Sequence, residues 1–376
     1  MSKHPDCLII GGGLIGMLTA RELALAGLQV RLIERGQTGR ESTWAGGGIL
    51  SPLYPWRYDA AISGLAQYSQ NVYSDLVARL KEETGIDAEW TQNGLLMPDC
   101  SDIDAASKWA NQYGAELHYI EQDELANIAP ELSCKLSQSG ALWMPKVAQV
   151  RNPRLAEAVR SSINKLGVEV LTNTTVREIK VHAGKVVGVM TSTGESLTAN
   201  SVVLASGAWS AGLLENLGVE LPVSPVLGQM LLYKTKPNTV KRIILNQERY
   251  VIPRRDGRVL VGSTLEHTGF EKKTTETARV ELEAESRRIV PALANFPIEM
   301  HWAGLRPGSP NGVPFIGACP GAEGLYINTG HFRYGVTLGP ASAELLASII
   351  LGTGFDLSPT AYAPNQISPT AQLEAG

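Results

Sequence analysis

The sequence predicts an α/β fold, α+β overall, in which a Rossmann-like domain carries an inserted antiparallel-sheet domain. Three observations predict it. Gly11-Gly12-Gly13-Leu14-Ile15-Gly16 sits between a short apolar run and a helical pattern. Strand-and-helix pieces of similar character recur near residues 150–210 and 300–360. Between Pro222 and Pro297 the strands alternate and prolines fall near strand ends, as an antiparallel sheet requires.

The elements follow in order. Cys7-Leu8-Ile9-Ile10 is continuously apolar, as expected of a strand buried on both faces. A helical pattern runs from Leu14 to about Ala26, and Gly27 stops it. Residues 28–33 form a second strand ending at Glu34, which completes a βαβ unit. Residues 43–51, with Gly46, Gly47 and Gly48 in a row, read as a loop. Helices are predicted over 61–84, 103–113 and 152–166, and a strand over 168–171. A hairpin of 176–181 with 185–190 precedes an apolar strand, 201–205, that leads to Ser206-Gly207. A helix over 275–289 lies inside the alternating region. A strand at 324–328 and a helix at 337–351 follow it. The nucleotide domain is therefore assigned to 1–85, 147–220 and 299–364, and the inserted domain to 86–146 and 221–298. Residues 365–376 are polar and expected to fray.

Composition narrows the function. A chain of 376 residues, 44% hydrophobic and 19% charged, suits two globular domains. A net charge of −4 counts against broad nucleic-acid binding, although a local basic patch stays open. The apolar run at 7–10 is too short for a signal-peptide core, and nowhere do eighteen apolar residues run uninterrupted. A cytoplasmic protein without membrane contact is expected. The four cysteines form no CxxC pair and the six histidines no ligand spacing, so reduced thiols and no metal site are expected.

The motifs point to a dinucleotide. Gly11 permits a tight turn, Gly13 lets a pyrophosphate approach the backbone, and Gly16 lets the helix lie close on the strand. The helix N-terminus favours phosphate, and Glu34 stands where an acid can bind ribose hydroxyls. This motif alone fits NAD or FAD. In Ser42-Thr43-Trp44-Ala45-Gly46-Gly47-Gly48-Ile49, bare backbone could pass beneath a flat ring, with Ser42 and Thr43 donating to phosphate. A flexible surface loop is the alternative. Asn328-Thr329-Gly330-His331-Phe332-Arg333-Tyr334-Gly335 lies between a strand and a helix. That helix N-terminus would favour the negative charge a reduced flavin gains on its pyrimidine half.

Together, GGGLIG, Val203-Leu204-Ala205-Ser206-Gly207-Ala208-Trp209 and GHFRYGVTLGP resemble the D-amino-acid-oxidase-like flavoproteins over nearly the whole chain. More narrowly, Trp302-Ala303-Gly304-Leu305-Arg306-Pro307-Gly308, with Pro314-Phe315-Ile316-Gly317 and GHFRYG, is similar to bacterial glycine oxidases linked to thiamine synthesis. The resemblance implies a Rossmann-like FAD-binding domain with an inserted antiparallel-sheet substrate domain, and FAD in extended form. Gly11, Gly13, Leu14, Ile15, Gly16, Glu34, Arg35, Ser42, Thr43, Gly46, Gly47, Gly48 and Ile49 would contact it. Gly207 would join them, Val176 would lie by the adenine, and Gly330, His331, Phe332, Arg333, Tyr334 and Gly335 by the flavin. Arg306 would hold a substrate carboxylate, with Tyr250 and Arg333 lining the same pocket; His331 reads equally as structural.

Chemistry supports these roles independently. A carboxylate needs a planar bidentate partner, which arginine provides. Arg306 lies between Leu305 and Pro307, which favours burial over a surface ion pair. Tyr250 shares a strand face with Ile252, and a core role is its alternative. Sarcosine oxidases attach their flavin to a cysteine near the position of residues 304–306. None stands here, and Cys319 comes after the Pro314–Gly317 motif, so noncovalent FAD is expected. The implied activity is oxidation of glycine, sarcosine or D-alanine with dioxygen as acceptor, giving oxo acid, ammonia or amine, and hydrogen peroxide. A homotetramer is implied too. An FAD-dependent D-amino-acid dehydrogenase feeding a quinone remains open, as do a tRNA-modifying flavoenzyme and a non-catalytic FAD-binding protein.

Overall fold

A computed structural model describes residues 4–364, so the expected frayed tail lies outside the described residues. The first sheet runs, across its width, Phe315–Ala318, Leu325–Thr329, Ser201–Leu204, Cys7–Ile10, Val30–Ile33, Glu169–Leu171. Its strands are parallel except for the antiparallel pair at the Phe315–Ala318 edge. The centre of this sheet explains the unbroken apolar run. Cys7 and Ile9 belong to the core shared with helices Leu14–Leu25, Ala60–Thr84, Asn152–Lys165 and Gly335–Leu351. Leu8 and Ile10 belong to the opposite core, with Val176, Ile179, Val186 and Leu197. Those residues come from a three-stranded sheet, the hairpin Val176–His182 and Lys185–Thr191 plus Ser196–Thr198. Neither face of Cys7–Ile10 meets water, so neither face can be polar.

The second sheet has eight strands in the order Ile298–Gly308, Ser224–Tyr233, Val259–Gly262, Arg249–Pro253, Ile243–Asn246, Leu95–Pro98, Ala141–Met144, His118–Ile120. It is antiparallel except where Ile243–Asn246 meets Leu95–Pro98, a parallel pair. That pair joins two distant stretches of chain, where no hairpin dictates direction. Ile298–Gly308, expected to open the last nucleotide-domain segment, runs instead as an edge strand here. Its ladder with Ser224–Tyr233 extends from Ser224 opposite Gly308 to Tyr233 opposite Ile298, pairing the backbone groups that face each other along both strands. Alternation then sorts the side chains. Tyr250 and Ile252 join the core nearest the first sheet, while Val251 packs with Tyr233, Val261 and Leu282 on the other face.

The glycine turns gather between the two sheets. Cys7–Ile10 and Leu325–Thr329 lead into Gly11 (φ +113°) and Gly330 (φ +80°), conformations that side chains oppose. These strand ends lie on the same edge of the sheet, with the parallel strand Ser201–Leu204 between them, at the carboxyl edge where open α/β sheets bind ligands.

Candidate active site

A cleft of about 390 Å³ lies between the glycine turns of the first sheet and the inner face of the second. Its wall contains Gly11, Gly13, Leu14, Ile15, Glu34, Arg35, Ser42, Thr43, Gly46, Gly47, Gly48, Ile49, Val176 and Gly207. It also contains Tyr250, Arg306, His331, Phe332, Arg333, Tyr334 and Gly335. Two expected residues do not line it. A Cβ on Gly16 would stand 2.0 Å from the Gly11 carbonyl oxygen, so Gly16 serves the helix–strand approach. Gly330 makes its turn against Phe315, 3.1 Å from where its Cβ would be.

At one end the cleft exposes bare backbone and a helix N-terminus, features that suit a phosphate. A Cβ on Gly11 would lie 2.4 Å from the Ala205 carbonyl oxygen, which excludes any side chain there. Gly13 is open, with Thr43 Oγ1 nearest its Cβ position at 3.6 Å, so a ligand can reach the backbone. Thr43 Oγ1 also accepts from Leu14 N–H at 3.0 Å, at the N-terminus of the first helix. Glu34 accepts from Gly12 N–H at 2.7 Å and from Gly36 N–H at 2.8 Å. The acid at the strand end therefore braces the glycine turn as well as facing the cleft.

The Gly46–Gly48 stretch is held, contrary to the surface-loop alternative. Ser42–Ala45 is a short helix where a loop was expected. Asn152 Nδ2 donates to the Thr43 carbonyl at 2.9 Å. Arg254 donates to the Gly47 carbonyl at 2.8 Å, and Val150 N–H to that of Gly48 at 2.9 Å. Burial pulls Arg254 down to about 10, still cationic near neutrality. Sequence reasoning missed Arg254, because no local pattern signals a partner on a distant strand. It also missed Trp209 as a wall residue, although the Gly207-Ala208-Trp209 motif was visible. The Arg35 guanidinium lies 3.6 Å from the Trp209 ring centroid, and Phe270 stacks on that ring at 5.6 Å. Glu41 pairs with Arg35 at 2.8 Å and with Lys272 at 2.6 Å, tying the two sides of the cleft together.

At the other end, Gly335, Val336 and Thr337 open the helix Gly335–Leu351 on the cleft wall. His331 is buried beside them, its Nε2 at 3.0 Å from Ser342 Oγ. Burial pulls its imidazole down to about 3, so it is neutral near pH 7. Its Nδ1 is buried without a hydrogen-bond partner, as is the Tyr334 hydroxyl.

Arg306 crosses the inner face of the second sheet above Gly228, whose Cβ position lies 2.2 Å from both terminal nitrogens. Its Nη1 donates to the carbonyls of Leu227 and Thr264, each at 3.2 Å, and its Nη2 to Ser263 Oγ at 2.7 Å. Burial lowers its pKa, Tyr250 opposes that, and Arg333 adds to it. None of the three acceptors of Arg306 is a carboxylate. Tyr250 fits a slot left by Gly262 and Gly47, whose Cβ positions lie 2.7 and 3.3 Å from its ring, and its hydroxyl reaches Met230 Sδ at 3.8 Å. It is thus a core residue and a wall residue at once.

Residues 6–349 match the family described as FAD dependent oxidoreductase. The chain belongs to that family. This FAD-dependent oxidoreductase is 48% identical to glycine oxidase of Pseudomonas aeruginosa, over 95% of its own length and 98% of the relative's. To glycine oxidase of Pseudomonas putida it is 43% identical, covering 97% and 99% of the two chains. Among solved structures, glycine oxidase from Geobacillus kaustophilus matches with a TM-score of 0.92 at 25% identity, covering 97% and 99%.

The residues present fit the family's cofactor. Gly13 offers bare backbone, two helices start at the wall, and His331 Nδ1 is an orphaned polar atom beside the second of them. Neither Cys7, Cys100, Cys134 nor Cys319 is on the wall of the oxidoreductase's cleft. Among the described residues no helix is long and apolar enough to cross a membrane, and no cluster could hold a metal ion.

Proposed function

We infer that this flavoenzyme oxidises glycine and other small amino acids, sarcosine and D-alanine among them, with dioxygen as final acceptor. One observation carries the reading: a half-buried guanidinium, Arg306, lines the cleft together with a second, Arg333, and its protein hydrogen bonds go to two carbonyls and a hydroxyl, not to a carboxylate. A guanidinium has five N–H donors, and three of those on Arg306 are given to Leu227, Thr264 and Ser263. Nε–H and one Nη2–H are left, a fork that suits a carboxylate.

Bound FAD would supply a two-electron acceptor that takes hydride from the substrate α-carbon and passes the electrons to dioxygen as hydrogen peroxide. The protein's task is to orient. Arg306 would fix the carboxylate and Arg333 would add positive potential. Tyr250 and Ile49, both on the cleft wall, would limit the space for a side chain. The amine must be neutral for its lone pair to assist hydride departure. The imine product hydrolyses to an oxo acid and ammonia, or to an amine from sarcosine. In this reading FAD is held without a covalent link, and the enzyme is a cytoplasmic homotetramer of the type linked to thiamine synthesis.

Arg306→Ala tests the assignment. Losing a buried charge pair should raise KM for glycine at least tenfold, roughly the lower end of such costs. Flavin content should stay near that of the unmodified enzyme. Unchanged kinetics with every amino acid tried would contradict the carboxylate role.

A further inference from the structure

The Arg306 side chain ends above a glycine, so no side chain beneath it holds the guanidinium. A long flexible side chain left in that state loses affinity to rotamer entropy whenever it binds. What fixes it lies to one side. Two of its three protein acceptors come from consecutive residues, Ser263 and Thr264, which follow the strand Val259–Gly262. Both are buried, at 2% and 6% exposure.

These two residues are held from behind by a polar network the chemistry does not otherwise use. Arg249 Nη1 donates to the Ser263 carbonyl at 2.8 Å. Thr264 Oγ1 accepts from Gln229 N–H at 2.9 Å and donates to the Glu266 carboxylate. Thr264 N–H donates to the Gln229 carbonyl at 3.3 Å. Gln229 is fully buried, and its Nε2 donates to Glu266 at 2.9 Å and to Thr275 Oγ1 at 3.2 Å. Its Oε1 accepts from Thr275 N–H at 2.9 Å. With its N–H and hydroxyl both committed to that network, Thr264 turns its carbonyl to Arg306. With its carbonyl committed to Arg249, Ser263 turns its hydroxyl there.

We propose that Ser263 and Thr264 are positioning residues for carboxylate recognition, holding Arg306 so that Nε–H and one Nη2–H face the substrate. The proposal rests on the carboxylate-binding role of Arg306. Hydrogen bonds to a charged group are among the stronger ones, so losing one should be visible in affinity.

The experiment uses the FAD-loaded enzyme and four variants: Ser263→Ala, Thr264→Val, Thr264→Ser and Arg306→Ala. Measured are KM and kcat for glycine, the inhibition constant of acetate as a bare carboxylate probe, and the rate of FAD release by fluorescence. Ser263→Ala and Thr264→Val should raise KM and the acetate constant together by roughly tenfold, with kcat within about twofold and FAD release unchanged. Thr264→Ser keeps the hydroxyl and should return both constants to within about twofold of the unmodified enzyme. Acetate binding unaltered in Ser263→Ala and Thr264→Val, while Arg306→Ala weakens it, would overturn the positioning role alone. Parallel loss of kcat, acetate binding and FAD retention would also overturn it, as a merely structural effect. Arg306→Ala leaving both constants unchanged would remove the anchor itself, and the proposal with it.

Discussion

A guanidinium seated over a glycine makes a sharp residue-scale prediction. Gly228→Ala would place a methyl group 2.2 Å from both terminal nitrogens of Arg306. Those nitrogens end a flexible side chain, so the arginine should yield and the strand survive. The expected result is a KM for glycine raised about tenfold, comparable to losing one charged hydrogen bond, with thermal stability and flavin content kept. An unchanged KM would mean that Arg306 does not need its place above Gly228. His331 gives a second prediction. Its pKa falls from 6.5 to about 3 on burial, so the unfolded chain takes up its proton at higher pH than the folded one. The neutral imidazole thus contributes stability above about pH 6.5 that is lost as pH falls toward 3. Between pH 7 and pH 5 that loss is about 2 kcal/mol. The holoenzyme's melting temperature should therefore drop less over this range in His331→Asn; equal drops would contradict the assignment.

At the scale of elements, the glycine turns decide what the strands present. Gly11→Ala brings a Cβ within 2.4 Å of backbone at Ala205, at φ +113°. The turn must then shift. Purified Gly11→Ala should be pale, and a yellow, fully loaded protein would contradict the turn's role. Much of this level is legible in the sequence, because it is written in local pattern. Cys7–Ile10 is apolar throughout because two cores claim its alternate residues. Gly11 and Gly13 sit at fixed spacing between a strand and a helix. What stayed illegible depends on partners far away along the chain. Arg254 reaches Gly47 across 207 residues of sequence, and nothing near either residue announces it. The parallel meeting of Ile243–Asn246 with Leu95–Pro98 is hidden for the same reason. So is the place of Ile298–Gly308 in the second sheet, where pairing with Ser224–Tyr233 outweighs its nearness in sequence to Phe315–Ala318 and Leu325–Thr329 of the first sheet. For the site, the residue types and the strand face of Tyr250 could be read. The glycines that make room for it, Gly47 and Gly262, could not, since they face it only after folding.

As a whole, the molecule sets its two largest sheets across one cleft, with the first offering bare backbone and helix ends and the second offering Arg306 and Tyr250. The stack of Arg35, Trp209 and Phe270, with Lys272 on Glu41, links the two sides at the Arg35 end of the cleft. Since no cysteine is on the wall, acid precipitation should release yellow colour into the supernatant. Colour kept in the pellet would mean a covalent flavin. The central claim is oxidation of small amino acids at this cleft. Its most direct test is oxygen uptake, with peroxide measured alongside, for glycine, sarcosine, D-alanine and D-phenylalanine. One methylene in an apolar pocket is worth about 1–3 kcal/mol, so glycine, sarcosine and D-alanine should all turn over, each yielding peroxide as oxygen is consumed. D-phenylalanine should be the poorest of the four; its being the best substrate, or flavin reduction without oxygen uptake, would contradict the account.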